Sequence, residues 1–532
     1  MKATQYRLDW RAATLSSLLA LVLSLAFLPL TALADDVYIE VTTPDVPVIS
    51  STTTIDTGGT YQLDAALTGA DITINTSDPV TIIGNGGAIE AVGTNNNIAI
   101  IGWTNGVDLT LQDVAIIDNN YNKSVLNFTG GTNYLYFSGT NLLEIEQGGG
   151  GTQAMVHVPE AANLTVGGTG TLYFYKSSQG AGFGSDKGEK NGDMTFNNVT
   201  IFGKSTKPGP AIGSGAAYSG APGNITFNSG EYTIIANAMG ACIGGGSGGG
   251  GGTLANPGGN VYVKGGTLSI NVDWAGAAIG GGGYAGGNDA IGGNLYVTGG
   301  SIRTVCDENA LSNWASAGVT QYGVTDKVVT ANKLDADGEP VRMLVFDTSL
   351  LEASASYFEV QIDGNDFYNG TLHHYKFINE EKNKDSGEYE PITVTSTNWV
   401  ALEDSNLYFY ISPAEHSLIV NGEEFTATWD AEADSFTVAS AQSEQADPTD
   451  GLKAVYLNGA SGNDANDGIE AATAVKTFSA AKALLSPTYA GATIYITGIV
   501  TVTADETWSL AGYNQARVQR ASTFTGSSKY FI

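Results

Sequence analysis

Cysteine and basic residues are scarce in this chain, and each scarcity excludes a class of protein or site. Its 532 residues include 2 Cys, 4 His and 23 Lys plus Arg, against 54 Asp plus Glu. The formal net charge of −31 repels phosphate groups, so we expect neither nucleic acid nor an anionic membrane surface as a partner. His157, His373, His374 and His416 show no metal-ligand spacing, and we expect no metal site.

Long apolar segments are also lacking, with one exception at the amino end. Residues 1–34 combine a basic start, an apolar stretch at 15–30 and Ala-Leu-Ala at 32–34. This is the order of a secretory signal peptide. A membrane anchor is the alternative, but the stretch is shorter than the about 20 apolar residues that a span needs. We therefore expect an exported protein, secreted or at the cell surface, with no membrane segment after cleavage.

Glycine is abundant, and an internal repeat organises it. The 70 Gly follow no Gly-X-Y period, which excludes collagen, and 42% hydrophobic residues are too many for a disordered chain. Five segments share an Asn or Asp followed by apolar, polar and apolar residues, with starts 30, 31, 36 and 34 residues apart: 163–166, 193–196, 224–227, 260–263 and 294–297. The alternation predicts short strands with one buried face, and places five side chains outward: Thr165, Thr195, Thr226, Tyr262 and Tyr296.

Two further series run in step with the first. One is an Ile-Gly or Phe-Gly pattern at 182–184, 211–213, 242–244 and 278–280, and the other consists of apolar strands at 232–236, 268–272 and 302–306. Three short strands per repeat bury their apolar edges only by stacking on neighbouring repeats. We therefore predict an all-β fold, a right-handed parallel β-helix over residues 35–329 with an amino-terminal cap. A β-propeller is the alternative, but its blades need four antiparallel strands each.

The repeat also decides the state of the two cysteines. It places Cys242 and Cys306 two coils apart and at different points of the coil. Coils stacked at about 4.8 Å separate their Cα atoms by roughly 10 Å, beyond disulfide range. We expect two buried thiols.

The sequence changes character downstream of the repeat. Residues 330–440 have longer strands with hairpin signals, and predict a small antiparallel, sandwich-like β module. Residues 441–450 form a polar linker, and 451–532 predict the truncated start of a second β-helix, with a helix at 480–485.

The repeat resembles a known group of proteins. The run GPAIGSG…GNITFNSG…GNVYVKGG…GNLYVTGG resembles the Gly-rich repeats of bacterial secreted or cell-surface proteins with a right-handed parallel, pectate-lyase-like β-helix. The resemblance covers roughly residues 60–305. It implies that architecture and a carbohydrate-binding role, while a fold by itself does not imply an activity.

Two functions remain open from the sequence. The first is a non-catalytic adhesin, stalk or glycan-contacting scaffold, in which Tyr262 and Tyr296, with Trp274 nearby, form an aromatic strip for glycans or a cell-surface polysaccharide. The alternative is a polysaccharide-degrading lyase or glycoside hydrolase, which needs acidic residues converging on one groove. Arg303, Asp273 and Asp186 are its candidates, but they occupy unrelated repeat positions. We assign no catalytic residue and favour the non-enzymatic interpretation.

One acidic loop invites comparison with a calcium site. Residues 462–468, Gly-Asn-Asp-Ala-Asn-Asp-Gly, begin like an EF-hand loop but lack the Glu at its twelfth position. Ca²⁺ is therefore a possible cofactor, and a simple turn is the interpretation that we prefer. No other cofactor is expected.

Overall fold

The computed structural model describes most of the chain from residue 46 onward. The described ranges are 46–84, 95–96, 98–118, 123–146, 150–217, 220–236, 239–248, 257–272, 276–283, 292–306, 323–324, 328–351, 353–372, 374–377, 399–401, 404–440, 452–485, 492–500 and 516–520. The predicted signal peptide lies outside them. Within these ranges, no helix is long and apolar enough to cross a membrane.

Parallel ladders of stacked strands form the larger part of the molecule. Residue pairs repeat from coil to coil, as in Val261 with Leu295 and Ile225 with Val261. The first ladder contains Val48–Ile49, Gly59–Leu63, Val80–Ile83, Asp108–Gln112, Gly131–Ser138, Ala162–Gly168, Met194–Phe196, Ile225–Phe227, the first halves of Asn260–Val272 and Asn294–Cys306, and Asn332–Leu334. The predicted parallel β-helix is thus confirmed.

Most coils contribute two more strands, one to each of two further ladders. The second ladder contains Asn95–Asn96, Ala115–Asp118, Thr140–Glu146, Thr171–Ser177, Thr200–Ser205, Glu231–Ala236 and the second halves of the two long strands. The third contains Thr53–Ile55, Asp71–Ile74, Ala99–Ile101, Leu126–Asn127, Val156–His157, Phe183–Gly184, Ile212–Ser214, Ile243–Gly245 and Ile279–Gly280. Gly323–Val324 pairs antiparallel with the end of the strand at Cys306.

The inward side chains of the three ladders form one continuous core. All ten predicted inward residues of the five repeats are buried, from Leu164 and Val166 to Leu295 and Val297. Phe196 stacks on Phe227 of the next coil, with ring centroids 5.0 Å apart. Cys242 and Cys306 are buried in the same core and form no disulfide, which confirms the prediction made from the repeat.

Backbone geometry explains why the third ladder repeats Gly. Gly213 has a φ of +138°, and a Cβ there would lie 1.9 Å from the carbonyl oxygen of Gly244 in the next coil. Only a residue without a side chain fits such a close approach. The Ile before each Gly fills the core, so the pair Ile-Gly marks one corner of every coil.

The repeated Asn residues form a hydrogen-bonded ladder along the solenoid. The Nδ2 of Asn260 donates to the Oδ1 of Asn224 at 3.3 Å, and that of Asn294 donates to Asn260 at 3.1 Å. Asn332 continues the series on Asn294 at 3.2 Å. Each Asn side chain therefore hydrogen-bonds to the Asn of the next coil, as in the Asn ladders of other stacked strands.

The module after the solenoid is antiparallel, as predicted. Arg342–Asp347 pairs with Asn406–Ile411, and Tyr375–Phe377 pairs with Trp399–Ala401. A five-stranded sheet has the order Asn365–Thr371, Tyr357–Ile362, His416–Val420, Glu423–Asp430 and Ser435–Ser440. A short 3₁₀ helix spans Thr348–Leu350. Both hairpins predicted from Asp363-Gly364 and Asn421-Gly422 have positive φ at each loop residue, which is the type I′ geometry that these pairs favour.

The module packs on the outer side of the second ladder. The backbone N–H of Tyr408 donates to the Ser301 hydroxyl at 3.1 Å, and the Tyr368 and Thr267 hydroxyls share a hydrogen bond of 2.8 Å. Trp399 lies 5.3 Å from the Phe202 ring. Side chains on this face of the solenoid are therefore covered by the module.

Residues after the module start a separate parallel sheet. Its strands are Ala454–Leu457, Ala492–Ile496 and Ala516–Arg520. The helix between the first two spans Phe478–Leu484, two residues before its predicted start, because Thr477 caps it by accepting the N–H of Ala480 at 3.1 Å. A 3₁₀ turn at Ala471–Thr473 precedes the helix.

Candidate functional site

The two predicted tyrosines meet on the outer side of the first ladder. Tyr262 and Tyr296 are register partners in adjacent coils. Their rings are nearly parallel, 10° apart, with centroids separated by 4.9 Å. This spacing is typical of offset stacking, which leaves the hydroxyls and part of the ring surface open to solvent.

The tyrosine pair ends a longer row of aligned side chains. Register partners on successive coils define this tyrosine–threonine row: Tyr134, Thr165, Thr195, Thr226, Tyr262 and Tyr296. Six coils at about 4.8 Å give the row a length of roughly 24 Å. Its six members present hydroxyl groups and aromatic rings, and the register continues with Asp108 before Tyr134 and Leu334 after Tyr296.

The far end of the row has a second aromatic pair. Tyr134 and Tyr136 lie on one strand with parallel rings, 6.3 Å between centroids. Gly167 of the next coil leaves room for the Tyr136 ring, because a Cβ there would lie 3.3 Å from that ring. Burial, with the charges of Asp108 and Tyr134, raises the pKa of Tyr136. No motif in the sequence marks these tyrosines, because their coil lacks the regular repeat pattern.

A groove of about 610 Å³ opens between the solenoid and the module, and it begins two residues along the strand from Tyr262. Lys264, two residues after Tyr262 on the same side of the strand, lines it together with Asn228. The module contributes Glu359, Gln361 and Asp366, among others. These residues are about a hundred positions apart in sequence, so no local motif could have predicted the groove.

The groove is rich in hydrogen-bonding groups. The Gln361 amide donates to the Asp366 carboxylate at 2.8 Å. Glu359 is exposed on the outer face of its strand, and its N–H donates to the Asn421 side chain at 2.8 Å. Carboxylates, amides and an ammonium group around a polar cleft are suited to a ligand that carries many hydroxyls.

Arg303, one of the catalytic candidates, does not join this surface in the described structure. Trp274 and Asp273 lie outside the described residues. Arg303 is buried under the module, where its Nε donates to Asp404 at 2.5 Å. Burial raises the pKa of the Asp404 carboxyl, but the hydrogen bond and charge of Arg303, with bonds from Asn406 and Tyr408, bring it below its usual value.

Asp186, the third candidate, lies on a different side of the solenoid. The structure places it beside Glu189, three residues further along the same loop, and adds His157 from the preceding coil. The neighbouring Lys190 instead bonds to Glu160 at 2.7 Å. Proximity in the chain revealed the acidic pair, whereas the histidine is 29 residues away from Asp186 and only coil stacking brings it close.

The acidic loop at 462–468 is held by the residues just before the helix. The Asp464 carboxylate accepts the N–H groups of Lys476 and Thr477, each at 2.8 Å, and the Thr477 hydroxyl at 3.0 Å. Although slight burial opposes the shift, these bonds lower the pKa of Asp464. Such contacts support the interpretation of this loop as a turn that anchors the helix start.

Taken together, three parallel ladders and an antiparallel module define a parallel β-helix protein with a hydroxyl- and tyrosine-lined outer face. No family model, curated protein or solved structure matches the chain.

Proposed function

We propose that this protein is an exported, non-catalytic surface scaffold that contacts glycans through the tyrosine–threonine row and the adjoining groove. The observation that carries the proposal is their continuity, because Tyr262 belongs to the row and Lys264 on the same strand lines the groove. A ligand that fits both must offer apolar patches for the rings and many hydroxyls for the cleft. Saccharides have both properties.

Charge narrows the class of glycan. The chain has a net charge of −31, and the groove has Glu359 and Asp366 beside a single lysine among the residues that line it. A polyanionic polysaccharide would be repelled at long range. The preferred ligand is therefore a neutral glycan.

The solenoid itself supports a scaffold role. Each coil contacts its neighbours through three ladders and a shared core, so the row is held on a stiff surface whose spacing is set by the strands. The resemblance to bacterial surface proteins with Gly-rich β-helix repeats points to the same role at the cell exterior.

Binding to a panel of neutral and acidic polysaccharides tests the proposal. For a glycan that binds the purified chain, replacing both Tyr262 and Tyr296 by Ala should weaken binding by tenfold or more, which is about 1.4 kcal/mol. Tyr456 and Tyr495 provide a matched control, because they form a similar stack in the terminal sheet, 5.3 Å between centroids.

The affinities of the two variants distinguish glycan binding at the tyrosine–threonine row from binding elsewhere. Loss of affinity in the Tyr262/Tyr296 variant, with unchanged affinity in the Tyr456/Tyr495 variant, supports the proposal. Equal affinity in all three proteins, or binding of no glycan on the panel, refutes it.

One observation favours the enzymatic alternative. Two carboxylates, Glu359 and Asp366, line one groove, and a pair of carboxyl groups is what glycoside hydrolysis needs. Both are exposed, unlike the buried acid of such enzymes. Release of new sugar ends that Glu359→Gln or Asp366→Asn abolishes would establish hydrolysis, and no release from the panel is the result expected for a scaffold.

A further inference from the structure

We propose that His157, Asp186 and Glu189 bind one divalent cation that accepts nitrogen as well as oxygen ligands, with Zn²⁺ as the best match. His157 ends a strand of the third ladder, and the two carboxylates lie in the loop that follows Phe183–Gly184 in the next coil. The site lies on a different ladder of the solenoid from the tyrosine–threonine row and is independent of the proposed function.

The spacing of the ligand atoms fits a small cation. One nitrogen or oxygen from each of the three side chains lies within 4.8 Å of the others. The His157 Nε2 and Glu189 Oε2 atoms are 3.2 Å apart. Two ligands at tetrahedral positions on Zn²⁺ are separated by about 3.4 Å. Glu189 is half exposed, so its carboxylate has room to adjust around an ion.

A neighbouring coil orients the imidazole for this role. The Oδ1 of Asn127, an acceptor, lies 2.8 Å from the Nδ1 of His157. The Nδ1 therefore carries the proton, and in the neutral ring the lone pair is on Nε2, which faces the carboxylates. Metal-binding histidines commonly have such a second partner, because it fixes both the tautomer and the ring direction.

The loop that holds the carboxylates is anchored on both sides. Asp186 accepts the N–H of Ala154 at 2.6 Å, and the Ser185 hydroxyl donates to the backbone oxygen of Glu189 at 2.7 Å. The N–H of Lys187 donates to the carbonyl of Thr152 in the preceding coil at 2.9 Å. The ligands are therefore positioned before any ion arrives.

Electrostatics gives the cation a function in the fold. Asp186 and Glu189 place two carboxylates beside the His157 ring. Two carboxylates facing a neutral imidazole lone pair repel one another. A cation between the three groups relieves that repulsion, and imidazole favours Zn²⁺ over Ca²⁺.

Calorimetric titration of the purified, chelator-treated chain with ZnCl₂ and, separately, CaCl₂ tests the proposal. We expect one Zn²⁺ per chain and much weaker binding of Ca²⁺. His157→Gln and Glu189→Gln should each weaken Zn²⁺ binding at least tenfold, and Asn127→Ala should weaken it by about 10–100-fold through the lost orientation of the ring. Substituting Co²⁺ gives a visible spectrum that reports nitrogen ligation without relying on an activity.

A second histidine–carboxylate pair supplies the control. His416 Nδ1 lies 2.7 Å from Asp363 in the module, but that pair does not belong to a three-ligand group among the described residues. Asp363→Asn should leave Zn²⁺ binding unchanged. Glu189 is largely solvent-facing, so its Gln variant should fold normally. Absence of saturation at one equivalent, or Zn²⁺ affinity in the Glu189→Gln and His157→Gln variants equal to that of the original chain, would overturn the proposal.

Discussion

A buried glutamic acid on the second ladder makes the stability of this protein depend on pH. Glu144 lies on the strand Thr140–Glu146 between Ile117 and Tyr175 of the adjacent coils. Its exposed fraction is 1%, and its Oε2 atom has no hydrogen-bond partner in the part of the chain that the structure describes. Burial, followed by the charge of Glu146, raises the pKa of Glu144 to about 8.

The sign and size of the effect follow from the two pKa values. In the unfolded chain a glutamic acid loses its proton near pH 4.3, whereas the folded protein keeps the proton on Glu144 up to about pH 8. The folded state therefore binds more protons between these values, and stability falls as pH rises through that window. At about 1.4 kcal/mol per unit, the loss is roughly 5 kcal/mol and is complete above the folded pKa.

Glu144→Gln removes the ionisable group and retains the shape. Near pH 4 the variant and the original chain should be about equally stable, and near pH 9 the variant should be more stable by several kcal/mol. Urea unfolding at a series of pH values, followed by circular dichroism, measures the difference directly. Subtracting the two curves of stability against pH cancels the contribution of the other carboxyl groups.

A control lies two residues away. Glu146 is only half buried, and although burial raises its pKa, Glu146→Gln should change the pH dependence much less. A stability difference between the Glu144→Gln variant and the original chain that stays constant from acid to alkaline pH would refute the reasoning. It would mean that the carboxyl reaches water in the folded state.

Three further predictions concern the junction and the ladders. Asp404→Asn should leave the buried Arg303 without its countercharge and cost about 3–5 kcal/mol, and adding Arg303→Met should recover most of it, as a double-mutant cycle in urea will show. Gly213→Ala should clash with the next coil and lower the thermal midpoint by clearly more than an Ala replacement in an exposed loop. Asn260→Ala breaks two ladder bonds and should cost about 1–3 kcal/mol, measured by urea unfolding; no change would contradict the ladder's role.

The repeat allowed much of the solenoid to be predicted. Alternation at Leu164 and Val166 shows which side chains face the core, and a Gly after each third-ladder Ile marks a corner that excludes a side chain. Both signals are local and recur in every coil. The pairing of Tyr262 with Tyr296 was therefore predictable, because the two residues occupy the same position in consecutive repeats. The type I′ hairpins were predictable for the same reason, since Asp363-Gly364 carries its backbone geometry in its composition.

The buried charges were not predictable in this way. Arg303 is a catalytic candidate from the sequence because it is the only arginine in or beside the repeat region. Its partner Asp404 is 101 residues away on the module. The groove lined by Lys264 and the approach of His157 to Asp186 also bring together residues from distant segments. Each of these contacts depends on how closely two surfaces pack, and no single segment of the sequence contains that information.

What the sequence by itself determined is the periodic part: strands of period two, coils of about 30 residues, two thiols too far apart to bridge, and an outward row of hydroxyl and aromatic side chains. These follow from steric rules that act between near neighbours and then repeat. Only the tertiary structure decided which side of the solenoid the module covers, which charges lose water, and where polar groups from different coils converge. Those outcomes depend on the sum of many weak long-range contacts and on the solvent that packing removes, and neither is fixed before the surfaces meet.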